Sequence, residues 1–413
     1  MSTLAQDTSL SFEKLGLDDD NHGWSEHAPS KPTVLSSLPS RSNILSAAVL
    51  ELTLGPAAEP QSFAVITTAD RKLHLLDPTS PSYTVAHTYS SFQDSPILDV
   101  LALDQQHLLV ASMSGKLVLY DTVRDEVVVE RRDHSKYVVK LASHPEGNTL
   151  WVASAGWDAK VFLYKLSRND VRLGEPAAVL TLTSIPETLM FVASPDDGKT
   201  VLLVARRDST FLHFYAMPSL VAESPTLTLL GKQNLAPHSN AWISFTPSDV
   251  QICPTDASII AVATSTTPHM KLLIVKLLVP TEQSSLLDAT NVPGPDGTVT
   301  QASQARAELL IQDREEAAIL VNVSTLAPQT QYSTPRLVWR PDGSGVYVSS
   351  DDGVVRGIEA TTGKLMATLQ GHDPGSKLRC LWAGRTNANH GSNSDSEVLI
   401  SGGFDQKLIV WHA

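Results

Sequence analysis

One unit recurs along this chain and constrains its fold more than any other feature: an apolar strand, a tight polar turn, and a second apolar strand. Its clearest copies are NTLWVASAGWDAKVFLYKL from Asn148, KTVLLVARRDSTFLHFYAM from Lys199, GVYVSSDDGVVRGIEATTG from Gly345 and EVLISGGFDQKLIVW from Glu397. SFAVITTADRKLHLLDP from Ser62 and HLLVASMSGKLVLYD from His107 follow the same plan. A seventh copy, SIIAVATSTTPHMKLLIVKL from Ser258, has a longer turn without the Asp. Two β-branched-rich runs about a Gly-, Asp- or Ser-containing turn predict a β-hairpin. Such units bury their apolar faces only by stacking on one another.

A second element recurs just ahead of the hairpins: SHPEG (Ser143–Gly147), SPDDG (Ser194–Gly198), CPTD (Cys253–Asp256) and RPDG (Arg340–Gly343). Proline presets φ at the second turn position, the acid bonds local backbone, and glycine accepts φ > 0. Before each turn lies another apolar run, such as YVVKLAS or PRLVWR. After each hairpin comes a more polar one, such as EVVVERR, AAVLTLT or KLMATLQ. Four strands per unit, seven times over, predict an all-β chain folded as a seven-bladed β-propeller of antiparallel blades.

The last unit ends on KLIVW, two residues from the terminus, with no fourth strand behind it. An apolar edge left bare invites aggregation. The run TVLSSL at 33–38 precedes the first blade's own opening strand, Ile44–Leu52, and is apolar enough to fill the place. The N- and C-terminal strands are therefore expected to pair and close the ring.

These units resemble the WD40-repeat family. The last copy carries the family's motif most fully, with Gly371-His372 followed by Ser401, Asp405 and Trp411. In that family the histidine, serine, aspartate and tryptophan form a hydrogen-bonded tetrad, and the resemblance implies the same here. The third blade matches with His134, Ser154 and Asp158, but Tyr164 replaces the tryptophan and Asp133 the glycine. Other blades keep only fragments, such as Asp70 with Leu76, Asp208 near Phe214, and Asp352 with Ile358. The resemblance covers roughly residues 32–413.

The resemblance further implies a docking face where the hairpin turns meet the incoming loops. The residue before the tetrad Asp lies on it: Trp157 in blade three, Arg207 in blade four and Phe404 in blade seven. Lys136 and Tyr137 follow His134 into the same face, and Trp242 lies in the loop before blade five's first strand. Aromatic and arginine side chains are the types that anchor interfaces. A non-enzymatic scaffold or adaptor for other proteins or peptides is the expectation.

Two other classes bear comparison. A substrate receptor of a cullin-type ubiquitin ligase often carries Trp-Asp-x-Arg at the end of a third strand. The nearest run here is YDTVR, Tyr120–Arg124, with tyrosine for tryptophan and the arginine one place late. A propeller enzyme or small-molecule binder would gather polar side chains around the central channel. Ser401, His372 and Asp405 could be mistaken for a hydrolytic triad, but a nucleophile needs an exposed, strained turn beside an oxyanion hole. Ser401 instead sits within an apolar strand. There is no phosphate-binding loop, dinucleotide fingerprint or HExxH helix, and no cofactor or metal site is expected.

The net charge of −13 argues against a nucleic-acid backbone or anionic membrane as partner. Two cysteines, Cys253 and Cys380, are too few for a disulfide framework or zinc site and read as small apolar side chains. No basic n-region precedes an apolar stretch at the N-terminus, and KLLIVKLLVP is too short to span a bilayer. The expectation is a soluble cytoplasmic or nuclear protein, monomeric by itself and part of a larger assembly. Residues 1–31, with six acidic and two basic side chains, read as a disordered acidic tail. Residues 281–306 read as a loop joining blades five and six, and 385–397 as a lengthened turn inside the last blade.

Overall fold

The middle strands of each repeat are apolar at nearly every position, and such strands need cover on both faces. LHLL at 73–76 and LVLYD at 117–121 are buried throughout. A ring of stacked sheets supplies that cover. The computed structural model describes residues 24, 28–35, 38, 41–56, 58–80, 82–90, 93–194, 198–218, 227–238, 245–280, 301–386 and 396–412.

The chain opens with β1 (Lys31–Val34) and then forms its blades in sequence order. Blade one holds β2 (Ile44–Leu52), β3 (Gln61–Thr68), β4 (Leu73–Leu76) and β5 (Val85–Tyr89). Blade two holds β6 (Ile97–Ala102), β7 (His107–Ser112), β8 (Leu117–Asp121) and β9 (Glu126–Arg131). Blade three holds β10 (Val138–Glu146), β11 (Thr149–Gly156), β12 (Lys160–Ser167) and β13 (Ala178–Thr181). Blade four holds β14 (Pro186–Ala193), β15 (Thr200–Arg206), β16 (Phe211–Ala216) and β17 (Thr228–Asn234). Blade five holds β18 (Pro247–Ile252), β19 (Ile259–Thr264) and β20 (His269–Lys276), then helix α1 (Gln301–Ala317), then β21 (Ile319–Pro328). Blade six holds β22 (Leu337–Trp339), β23 (Gly345–Val348), β24 (Val354–Glu359) and β25 (Leu365–Gln370). Blade seven holds β26 (Leu378–Thr386), β27 (Ser396–Gly403) and β28 (Leu408–His412), with β1 as its fourth strand.

The seven four-stranded antiparallel sheets match the expected propeller. Closure runs through Lys31↔His412 to Val34↔Ile409, and Leu35 N–H donates to the Leu408 carbonyl at 2.9 Å. The closing strand thus begins two residues earlier than the TVLSSL run suggested. Pro32 lies in it without penalty because β1 is the outermost strand of its sheet, where one N–H need not pair.

The core lies in the seams. Each of the seven hydrophobic clusters joins two adjacent blades, for example Val250, Ile260 and Leu273 of blade five against Leu203, Leu212 and Phe214 of blade four. Both cysteines are free and buried, Cys380 in β26 and Cys253 just after β18. Burial pushes the Cys380 thiol up to about 12. No helix among the described residues is long and apolar enough to cross a membrane.

Two expectations need correction. The insertion read as a loop between blades five and six lies inside blade five, between β20 and β21, and residues 301–306 begin the helix α1. ILVNVSTLAP, Ile319–Pro328, is blade five's own outer strand. Nor is the whole of 1–31 an unstructured tail: Trp24 packs on blade six, and Ser30 N–H donates to the His412 carbonyl at 2.7 Å. The lengthened turn of blade seven falls between β26 and β27, with 387–395 outside the described residues.

Removing residues 1–35 deletes about four strand-pairing hydrogen bonds, each worth about 1 kcal/mol, and one buried leucine worth about 2 kcal/mol. Thermal melting is expected to fall by about 5–10 °C relative to the full chain, with aggregation on heating. Removing only residues 1–23 should leave the midpoint unchanged.

Candidate functional site

A shared irregularity builds one end of the ring. In six blades the first strand carries a β-bulge near its start, between the paired positions 44/46, 97/99, 138/140, 186/188, 247/249 and 378/380. A bulge re-aims the extra residue and strengthens local twist. At the same end, in blades one, three, four and seven, the residue before the turn acid donates its N–H to the loop just ahead of the first strand. Trp157 N–H bonds Tyr137 O at 2.8 Å, Arg207 N–H bonds Ile185 O at 2.7 Å, and Phe404 N–H bonds Lys377 O at 3.0 Å. The hairpin turns and the incoming loops therefore form one rim, and Trp157, Arg207 and Phe404 all belong to it.

On that rim the structure joins three of the sequence-predicted residues directly. Tyr137 and Trp157 stack with ring centroids 5.0 Å apart and planes inclined by 26°. The Arg207 guanidinium lies 5.3 Å from the Trp157 ring. Glu187, at a bulge position, accepts from Arg207 Nε at 2.6 Å. Burial pushes the Glu187 carboxyl up, and the Arg207 charge partly offsets this. Lys136 is exposed beside Tyr137. Phe404 is 40% exposed on the far side of the ring, in blade seven, so it does not touch this stack. It pairs instead with Arg379, whose guanidinium lies 5.3 Å from its ring. Trp242 lies outside the described residues.

Glu187 and Arg379 were missed in the sequence. Their prominence depends on bulged strand register, which no motif announces. Both stand at the same bulged position of their blades. Arg379 is half-buried, and desolvation with the nearby Arg336 charge lowers its guanidinium to about 10. Among the described residues no carboxylate lies within ion-pair distance of it.

Below the rim is an axial cavity of about 570 Å³ lined by first strands, with Asp99, Lys140, Asp249, Arg336 and Arg379 among its polar side chains. Its carboxylates also staple neighbouring blades. Asp99 Oδ2 accepts from Leu141 N–H at 2.7 Å, and Asp249 Oδ2 from Leu337 N–H at 3.1 Å. Among the described residues no group of three or more His, Cys, Asp or Glu is placed to hold a metal.

The two tetrads lie just behind the rim. In blade seven, His372 Nδ1 meets Asp405 Oδ2 at 2.8 Å, and Nε2 meets Ser401 Oγ at 2.8 Å. Trp411 Nε1–H donates to the same Ser401 Oγ at 2.8 Å. Blade three repeats the first two contacts at 2.9 Å each, between His134 and Asp158 and between His134 and Ser154. Tyr164 takes a different partner. Its hydroxyl donates to Asp133 Oδ2 at 2.9 Å, and Arg131 Nε grips the same oxygen at 2.7 Å. The two departures from the family motif thus compensate each other. A glycine at 371 leaves room for the Trp411 ring, which a Cβ would meet at 3.0 Å, while the aspartate at 133 supplies an acceptor for the Tyr164 hydroxyl.

Burial alone would raise the Asp158 and Asp405 carboxyls. Hydrogen bonds from the histidines and from Ser135 and Asp373 N–H outweigh it and hold both below the usual carboxylate range. A depressed folded value contributes stability above the unfolded carboxyl value of about 4, and that stability is lost as pH falls through the folded value. His372→Ala leaves buried Asp405 and Ser401 short of partners and is expected to cost about 2–4 kcal/mol at pH 7. In urea melts the gap from wild type should narrow as the pH falls below about 4.

No curated protein matches the sequence. A family model described as UCP007778, beta-propeller domain, matches residues 56–412, from the loop after β2 to the end of β28. The match takes in well over half of the chain, and the chain therefore belongs to the UCP007778 beta-propeller domain family.

Proposed function

We infer that this chain is a WD40-type propeller acting as a non-enzymatic scaffold or adaptor, which holds partner proteins or peptides at the rim. The observation that carries the reading is the ladder Tyr137–Trp157–Arg207 braced by Glu187. Stacking fixes these large side chains in place before a partner arrives, so less conformational entropy remains to be lost on binding. The Arg207 charge is met by Glu187, which leaves the ladder as an apolar aromatic surface with a compensated polar edge. Across the mouth, Phe404 on Arg379 offers a second anchor of the same chemistry.

The tetrad supports a non-catalytic role. Ser401 is fully buried and its hydroxyl is engaged by His372 and Trp411 at once, so it has neither access to a substrate nor a free lone pair aimed outward. In the axial cavity, Asp99 and Asp249 each spend one carboxylate oxygen on a backbone N–H of the next blade.

The test is affinity purification with mass spectrometry, comparing wild type with a Trp157→Ala/Phe404→Ala variant shown to melt like it. A defined set of proteins held by wild type and lost by the variant is the expected result. The same set on both would remove these residues from the binding face. No capture by either would overturn the adaptor reading.

A further inference from the structure

At the opposite end of the ring, the seam between blades six and seven holds an unusual occupant. The Trp24 indole sits over β23 and β24 where both strands have a glycine. A Cβ on Gly357 would lie 2.3 Å from the Trp24 ring and one on Gly345 2.7 Å from it. Tyr347 meets the indole edge-on, with centroids 5.5 Å apart and planes at 77°. The Arg340 guanidinium lies 4.7 Å from the ring.

The arginine explains why the cradle suits an indole. Arg340 is 1% exposed, and its in-plane donors are already committed. Nε and Nη2 bond Glu397 of blade seven at 3.1 and 2.7 Å, and Nη1 bonds Ser344 at 2.8 Å. Each of its three nitrogens already has an acceptor, so what remains is a desolvated cationic face. Such a face is best covered by an electron-rich ring, and tryptophan is the strongest partner among the side chains. Two missing side chains, one aromatic wall and one guanidinium face make a slot with the shape and electrostatics of an indole.

We propose that this seam is a tryptophan-binding site whose ligand is the chain's own Trp24, held in cis and exchangeable for the same segment supplied in trans. The polar run DDDNHGWSEH around Trp24 offers no second apolar anchor, so the indole carries the contact together with one long bond from Trp24 N–H to Glu359 Oε1 at 3.4 Å. Six residues separate Trp24 from β1, and a tether that short keeps the ligand at an effective concentration on the order of millimolar. An outside peptide therefore competes poorly until residue 24 is removed.

The experiment uses the full chain and a fluorescein-labelled peptide of residues 17–30. Titration onto Trp24→Ala protein should give saturable one-to-one binding, at least tenfold weaker on wild type. Gly357→Ala added to Trp24→Ala should abolish it, because the new methyl fills the slot while its nearest other neighbour, Ala367 Cβ, stays at 3.1 Å. A peptide with Ala at position 24 should not bind the Trp24→Ala protein, a control that does not depend on the glycine variant. Absence of saturable binding to Trp24→Ala at millimolar peptide, or equal binding to all proteins, overturns the site. A wild-type dimer in sedimentation that Trp24→Ala dissociates would place the indole on a second copy and overturn the cis assignment.

Discussion

Backbone N–H and C=O groups along an apolar strand need partners, and in this ring the strand least able to find them locally is β28. Its first four residues are buried, so they need cover on both faces. β1 answers from the other end of the sequence, and the rest of the architecture depends on that answer. With β1 in place, Leu35 joins Cys380, Val398 and Ile400 against Ile44 and Ile66 of blade one. The last seam is then as apolar as the other six. Since every blade is packed on two neighbours, one unfilled seam would leave two blades half covered.

The same stacked sheets explain why the rim can present large side chains in fixed positions. Bulged first strands and bonded hairpin turns give rigid backbone from which Trp157, Arg207, Glu187 and Arg379 project. In blades two and six the turn also presses on the next blade's incoming loop. Gly115 and Gly353, at φ of +86° and +81°, occupy positions where a Cβ would meet His134 O at 2.3 Å and Asp373 O at 2.4 Å. At these two junctions neighbouring blades thus touch at their turns as well as through their cores.

Much of this was legible in the residues, for identifiable reasons. Continuous apolar runs with Gly-Asp turns announce hairpins wherever they fall, and the Ser–His–Asp spacing of blade seven is a local pattern with a single geometric solution. What was not legible depends on relations between distant residues. The pairing of Tyr164 with Asp133 looked like two defects and is one compensated contact. Arg379 is an ordinary strand residue until register places it at a bulge. Trp24 stands alone in a polar stretch, and its cradle is made by two glycines more than three hundred residues away. ILVNVSTLAP was overlooked as blade five's outer strand because helix α1 stands between it and β20.

The direction of the strands gives the molecule two unlike ends. First strands start at the rim, so the links between first and second strands, and between third and fourth, all fall at the other end. Thr386 and Ser396 face each other there, the chain leaves β20 there towards α1, and Lys31 and His412 lie side by side there. Glu315 of α1 accepts from Asn234 N–H at 2.7 Å, which ties the end of the helix to the outer strand of blade four. A reporter, a surface or a neighbouring domain joined to the chain beside His412 would therefore hang from the back of the ring and leave the mouth facing outward.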